Sequence, residues 1–241
     1  MKIGVIGTGT IASAVVRGIA GDGHDIAVSE RSAARAADLA RAFDNVGVHD
    51  NAGVVAVSDV IFLGLMAEAA GEILAPLPFR AGQRVISFMA GASLEEVAAM
   101  VAPARAVAVM LPFPGIAVGG SPILVQGAAD LARELFEPAN RVYTLADDAE
   151  LSNYLAAQAV LLPAVTLVAE AAGWLAAQGS DADQGAAFLK HLVGSSLLAS
   201  DLGPLMADLG TPGGYNARLR DHMEAAGMQD ALREGLDRLA R

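Results

Sequence analysis

The pattern of apolar positions changes twice between residues 2 and 19. A short apolar run ends at Ile6, the sequence Gly7-Thr8-Gly9-Thr10-Ile11-Ala12 follows, and apolar positions then recur at helical spacing to Ile19. This order predicts a strand, a glycine-rich turn and a helix. In a Gly-x-Gly-x-x-Ala loop the first glycine permits a tight turn, the second admits a diphosphate, and the small third residue brings the helix close to the sheet.

The same loop predicts an anion site, because the first N–H groups of the helix and its positive dipole end point toward the turn. We therefore predict that Gly7, Thr8, Gly9, Thr10 and Ile11 bind a dinucleotide. The alternative is an ordinary strand-to-helix turn, which a glycine-rich chain also contains.

Strand-like and helix-like patterns alternate up to about residue 146, which predicts an α/β fold with a doubly wound, Rossmann-like sheet. The run from Val60 to Leu65 is apolar throughout, as in a strand buried on both faces, and its far end, with Leu65 and Met66, should line the cofactor crevice. Ser93 and Glu96 form a capping box at a helix start. Further strands are predicted at 24–29, 46–48, 84–88, 106–111, 122–126 and 141–144, and helices at 32–43, 51–58, 93–101 and 128–136.

Residues 147–241 contain no further strand-like run and are predicted to form an all-α dimerisation domain. One helix is expected over 147–177 with a kink at Pro163, and others over 181–200, 215–226 and 228–239. The long helix is apolar around most of its circumference and must therefore be buried. Fewer than a hundred residues can hardly surround it, so the pattern predicts a homodimer with interleaved helices.

The end of the second strand is where a Rossmann domain contacts the adenosine ribose. Ser29, Arg31 and Ser32 offer the hydroxyls and the cation that suit a 2′-phosphate, which favours NADP over NAD. Glu30 would repel that phosphate if it pointed inward. Alternatively, Arg31 and Ser32 only begin the next helix, with Ser32 as its cap.

Composition narrows the class of protein. The 241 residues carry a formal net charge of −11, which argues against nucleic acid as a partner. The absence of cysteine excludes disulfides and thiolate metal sites, and the four histidines have no metal-ligand spacing. No apolar stretch is expected to span a membrane, and the first apolar run is too short for a signal peptide. We therefore expect a cytoplasmic protein without a metal.

The chain resembles the Δ1-pyrroline-5-carboxylate reductase family over nearly its whole length. The resemblance is carried by the opening KIGVIGTGTIASAVVRG, by VSERS, Asn51 and Asp59, by Ser87-Phe88-Met89-Ala90-Gly91, and by Thr211-Pro212-Gly213-Gly214 with the helices after it. It implies an NADP-binding domain to which Asn51 and Ala90 contribute. It also implies dimers or rings of dimers, with active sites between one subunit's nucleotide domain and helices that include the partner's.

The substrate side departs from that family's pattern. The family's Val-Lys-Pro is Leu65-Met66-Ala67 here, and its small polar run on the long helix is Ala159-Val160-Leu161-Leu162-Pro163-Ala164-Val165. Tyr215-Asn216 replaces a pair of threonines. We take Thr211 and Tyr215 as candidate catalytic proton donors and Asn216 as a residue that orients the substrate. Alternatively, Tyr215 packs on the partner at a helix start and Thr211 caps the turn begun by Pro212. Gln158 is either a pocket residue or, as is more common for a polar residue in an apolar helix, a surface residue or the partner in an interhelical hydrogen bond.

The leading hypothesis is an NADPH-dependent reductase of a C=N bond in a small cyclic imine related to pyrroline carboxylate, with a more apolar substrate pocket. Hydride chemistry of this kind belongs to the cofactor, and the protein supplies binding and orientation. Two alternatives remain. One is a deazaflavin-dependent NADP oxidoreductase, and the other is a non-catalytic dimeric sensor or scaffold that binds NADP.

Overall fold

The computed structural model describes residues 1–240 and forms two compact units, Met1–Leu151 and Ser152–Arg241. The sequence predicts a domain boundary between residues 146 and 147, and the two units divide a little later, inside a helix.

The first unit is built on one eight-stranded sheet. Its strands are β1 (Lys2–Ile6), β2 (Asp25–Ser29), β3 (Val46–His49), β4 (Val60–Leu63), β5 (Arg84–Ser87), β6 (Arg105–Pro112), β7 (Pro122–Gly127) and β8 (Arg141–Leu145). Their order is β3-β2-β1-β4-β5-β6-β7-β8. All pairs are parallel except β6 with β7, so the predicted doubly wound sheet is confirmed and one antiparallel pair is added.

Helices cover both faces of this sheet. They are α1 (Thr10–Ile19), α2 (Ala33–Ala42), α3 (Asn51–Val57), α4 (Ala67–Leu74), α5 (Leu94–Val101) and α6 (Asp130–Phe136). A further helix, α7 (Asp148–Ala157), follows β8 and crosses into the second unit. Along β4, Val60 and Phe62 join one apolar cluster while Ile61 and Leu63 join another. Alternate side chains of a strand point to opposite faces, so each face has its own core.

The second unit is entirely helical. After α7 it contains α8 (Leu161–Ala177), α9 (Ala182–Ala199), α10 (Leu202–Leu209), α11 (Tyr215–Ala225) and α12 (Met228–Leu239). A 3₁₀ turn at Gln158–Val160 interrupts the predicted long helix. Pro163 explains it, because proline has no N–H to donate to the carbonyl of Ala159.

Two helices were not predicted. In α4 only Ala70 and Leu74 are buried, so its apolar stripe is too short to stand out in the sequence. In α10, Gly203 and Pro204 suggest a loop, but Pro204 lies in the first turn, where backbone N–H groups have no partner within the helix.

The sequence predicts no membrane span, yet one helical stretch is long and apolar enough to cross a membrane by length and composition. The helical stretch Asp148–Ala177 has a mean hydropathy of 1.8 over its most apolar window, and only 6% of that window is buried. This stretch consists of α7, the 3₁₀ turn at Gln158–Val160 and α8. By length and composition alone this is weak evidence for a span, since a helix covered by a protein partner has the same composition.

The capping box predicted at the start of α5 is present. Ser93 accepts a hydrogen bond from the Glu96 backbone N–H at 3.2 Å, and Glu96 accepts one from the Ser93 N–H at 2.8 Å. The Ser93 hydroxyl also donates to the Glu96 carboxylate at 3.0 Å. The bonds that this carboxylate accepts from the Ser93 N–H and hydroxyl favour its ionised form and lower the pKa of Glu96.

Ser93→Ala should therefore lower the free energy of unfolding by about 1 kcal/mol at neutral pH. Because the pKa of Glu96 is lowered on folding, its contribution is present above the ordinary glutamate pKa and lost as the pH falls through the folded value. Denaturant titrations of Ser93→Ala and of the neighbouring Glu95→Gln, as control, would measure this. An equal loss at acidic and neutral pH would contradict the role of the carboxylate.

Candidate functional site

The turn after β1 is formed by close backbone contact with the residue after β4. Gly7 has a φ of +90°, and a Cβ there would lie 2.4 Å from the carbonyl oxygen of Gly64. A Cβ on Gly64 would in turn lie 2.5 Å from the carbonyl oxygen of Gly7 and 3.0 Å from the Cβ of Ala12. Only glycines at both positions and a small residue at 12 allow β1, β4 and α1 to approach this closely.

Buried hydrogen bonds to the end of β2 hold the other side of the turn. The Gly7 N–H donates to the Ser29 hydroxyl at 2.8 Å, and the Thr8 hydroxyl donates to the Ser29 carbonyl at 2.7 Å. Both side chains are fully buried. Ser29 and Thr8, taken from the sequence as cofactor ligands, therefore use their hydroxyls within the protein, and a 2′-phosphate would need to find other partners.

The start of α1 is left open as an anion site requires. Gly9 is its N-cap, has an ordinary φ of −80° and no side-chain capping bond, and a Cβ built there meets nothing within 4 Å. The first bond onto this helix runs from the Ser13 N–H to the Gly9 carbonyl, so the N–H groups of Thr10, Ile11 and Ala12 precede the helical ladder. These amides fit the diphosphate of a dinucleotide.

The other predicted cofactor residues lie along the same carboxyl edge of the sheet. Ligands of such folds bind where neighbouring strands connect in opposite directions, here between β1 and β4. Leu65 and Met66 follow β4; Leu65 is buried, whereas Met66 is 69% exposed. Ala90 follows β5 and is exposed. Leu65 lies against Gly7, and Met66 and Ala90 follow strands that end at the same edge of the sheet.

A groove of about 590 Å³ lies at the ends of β2 and β3. Arg31 and Asn51 line it, as expected of an adenosine site, whereas Ser32 is half-buried at the start of α2 without a side-chain capping bond. The remaining lining residues are Glu30, Asp50, Ala69, Glu72 and Ile73. The last three belong to α4, and the sequence analysis missed them because it missed that helix.

The substrate candidates lie in the second unit, around the loop between α10 and α11. The Thr211 hydroxyl donates to the Asp208 carbonyl at 3.4 Å, and the Tyr215 side chain is 89% exposed. Asn216 lines a small pocket of about 220 Å³ with Met206, Leu209, Gly210, Ala217 and Arg220. The structure thus groups Asn216 with apolar side chains.

Two further polar side chains of the second unit already form hydrogen bonds within the protein. Arg220 binds Asp221 at 2.7 Å, and this hydrogen bond raises the pKa of the guanidinium. Gln158 is exposed and donates to the Leu155 carbonyl one turn earlier. Among residues 1–240, no three His, Asp or Glu side chains lie together in a way that would hold a metal ion.

Comparison with known proteins supports the cofactor assignment. The sequence profile of a family described as NADP oxidoreductase, coenzyme F420-dependent, matches residues 2–91. This segment contains the glycine turn, the groove and the loop after β5. A search of curated protein sequences gives no significant match.

Solved structures show the fold of the whole chain. The 1-pyrroline-5-carboxylate reductase from Streptococcus pyogenes superposes with a TM-score of 0.84 at 20% identity, covering 100% of this chain and 96% of that one. The pyrroline carboxylate reductase from Plasmodium falciparum, with NADP bound, gives 0.82 at 15% identity, covering 100% and 95%. The chain therefore has the pyrroline-5-carboxylate reductase fold, as its sequence resemblance predicts.

More distant structures extend the comparison to other imine chemistry. A reductive aminase from Aspergillus terreus, in complex with NADPH and ethyl levulinate, superposes with a TM-score of 0.66 at 18% identity, covering 99% of this chain and 90% of that one. The fold and the matching family together show a nicotinamide-type oxidoreductase architecture.

The glycine turn allows a matched pair of substitutions. Gly9→Ala adds a methyl group to open space where the diphosphate would lie, so it should weaken nucleotide binding about tenfold or more and cost only about 1 kcal/mol of stability as an N-cap change. Gly7→Ala forces positive φ and a backbone clash and should cost about 2–4 kcal/mol. Calorimetry and thermal unfolding would separate the two effects. Wild-type affinity in a folded Gly9→Ala variant would contradict the site.

Proposed function

We propose that the protein is an NADPH-dependent reductase of a C=N bond in a small cyclic imine. The observation that carries this proposal is the open start of α1 at Gly9, positioned by a buried turn in a fold shared with pyrroline carboxylate reductases. We take the chain as a divergent member of that family. The structural relatives described as complexes with NADP or NADPH support the choice of cofactor.

In this proposal the first unit binds the cofactor, and the second unit supplies the residues that contact the substrate. The amides of Thr10 and Ile11 bind the diphosphate, and Arg31 with Asn51 binds the adenosine end. Bound NADPH supplies the hydride. An imine is reduced as its protonated iminium, so the protein needs only a positioned donor for the nitrogen. Tyr215 and Thr211 are the proposed donors, and Asn216 orients the substrate.

The proposed substrate is less polar than pyrroline-5-carboxylate. Met206 and Leu209 flank Asn216, and Arg220, the cation of that pocket, is already bound to Asp221. A free substrate carboxylate would lack the hydroxyls that the family's threonine pair provides. Each charge-assisted bond of that kind contributes about 1.5–3 kcal/mol, so their loss favours an imine without a carboxylate.

Turnover tests this proposal directly. Purified protein is mixed with NADPH and a panel of cyclic imines, and the consumption of NADPH is followed by its nicotinamide absorbance. Consumption should be fastest with apolar imines. Tyr215→Phe should lower kcat about 10²-fold or more if Tyr215 is the donor, whereas Tyr143→Phe in β8 should leave it unchanged. Binding of NADPH without turnover of any imine would favour the sensor alternative.

A second candidate is favoured by the family match alone. The matching family is described as coenzyme F420-dependent, which favours the hypothesis of a deazaflavin-dependent NADP oxidoreductase. The same assay with a reduced deazaflavin and NADP tests it. Deazaflavin oxidation in the absence of imine turnover would replace the first proposal with the second.

We also propose that the protein is a homodimer, or a ring of dimers, in the cytoplasm. The second unit buries almost no large apolar side chain of its own. Leu162 is 72% exposed, Trp174 66%, Phe188 58% and Leu198 91%. Burial of each such side chain contributes about 1.5–3 kcal/mol, so a surface of this composition is stable in water only when it is covered. A second copy offers the same apolar surface and would cover it.

Charge substitution on this surface should dissociate the dimer. Leu162→Glu and Leu198→Glu should shift the sedimentation coefficient to that of a single subunit, because an unpaired carboxylate would be buried in the interface. Val118→Glu is the control, since Val118 is 89% exposed in the first unit. Wild-type protein that sediments as a single subunit, or that partitions with lipid vesicles, would contradict the proposal.

A further inference from the structure

The groove that would hold the adenosine ribose contains one cation and three carboxylates. Arg31 lines it together with Glu30, Asp50 and Glu72. Arg31 forms no ion pair with any side chain among residues 1–240. The Asp50 carboxylate is fixed, because it accepts the Gly53 N–H at 2.7 Å and caps α3. The groove is therefore acidic around a single guanidinium.

These charges act in opposite directions on the two nicotinamide dinucleotides. The 2′-phosphate of NADP brings close to two negative charges at neutral pH, which Arg31 attracts and the carboxylates repel. The 2′-hydroxyl of NAD is a hydrogen-bond donor that a carboxylate accepts. The Debye length is about 8 Å at physiological ionic strength. Charges that line the same groove therefore act on a phosphate bound in it.

We infer that Glu30 and Glu72 limit the preference for NADPH, so that the protein binds NADH within about tenfold of NADPH. Glu30 directly precedes Arg31 at the end of β2, and Glu72 faces the groove from α4. Both side chains are exposed and neither forms a hydrogen bond with another described residue, so each is available to the ribose. This inference rests on the proposed dinucleotide site and concerns its preference between NADPH and NADH.

Neutral substitutions test it by binding alone, without a substrate. Glu72→Gln and Glu30→Gln should each tighten NADPH about threefold to fivefold. Glu72→Gln should leave NADH unchanged, and Glu30→Gln should weaken NADH, because a neutral amide oxygen accepts the 2′-hydroxyl hydrogen bond less strongly than a carboxylate does. Arg31→Ala should weaken NADPH more than NADH. The dissociation constants are measured by calorimetry on the full-length protein.

Glu95→Gln is the matched control, because it removes the same charge from an exposed position on α5 outside the groove. If Glu72→Gln and Glu30→Gln change the ratio of the two dissociation constants no more than Glu95→Gln does, the inference is overturned while the dinucleotide site stands. A wild-type preference for NADPH far above tenfold would also overturn it. Failure of the wild type to bind either nucleotide would remove the proposed function and the inference together.

Discussion

The buried hydrogen bond from the Gly7 N–H to the Ser29 hydroxyl fixes the geometry on which the proposed site depends. Together with the bond from Thr8 to the Ser29 carbonyl, it ties the end of β1 to the end of β2. On the opposite side the backbone of Gly64 packs against Gly7 too closely for any side chain. Since a buried donor left without a partner costs about 1–3 kcal/mol, the turn has one stable position. That position determines where α1 begins and where its free amides point.

The two units use their apolar residues in different ways. In the first, alternating side chains of β1 and β4 fill two cores on opposite faces of the sheet, and Phe62 stacks on Phe88 at 5.1 Å between ring centroids. In the second, the fully buried positions are small, such as Gly185 and Ala217, whereas Leu162 and Leu198 face outward. The first unit buries its apolar core within one chain. The second unit is as apolar as a protein core, but it has too few residues to bury its own apolar side chains.

The sequence predicted the elements that bury a long apolar run or carry a local signal. The strand from Val60, the capping box at Ser93 and the irregularity caused by Pro163 are of this kind, although the structure has a 3₁₀ turn before the proline where a kink was predicted. It failed for α4, which buries only Ala70 and Leu74, and for α10, which buries no residue and has the loop-like pair Gly203 and Pro204 in its first turn.

At the candidate site, too, the sequence predicted local features and missed those that depend on contacts between distant residues. The Gly7–Ile11 turn could be predicted because glycine spacing is a local property. The burial of Ser29 could not, because it depends on the contact between the turn and β2, which are distant in sequence. Glu72 was missed along with its helix. The role of Tyr215 stays a prediction, since its side chain contacts little within one chain.

The most direct measurement of the central claim is amide hydrogen exchange at the start of α1 with and without NADPH. If the backbone of the turn binds the diphosphate, the N–H groups of Thr10, Ile11 and Ala12 should become protected when the nucleotide is added, while the exposed start of α12 should not change. Exchange at these three amides that is identical with and without saturating NADPH and NADH would contradict the account.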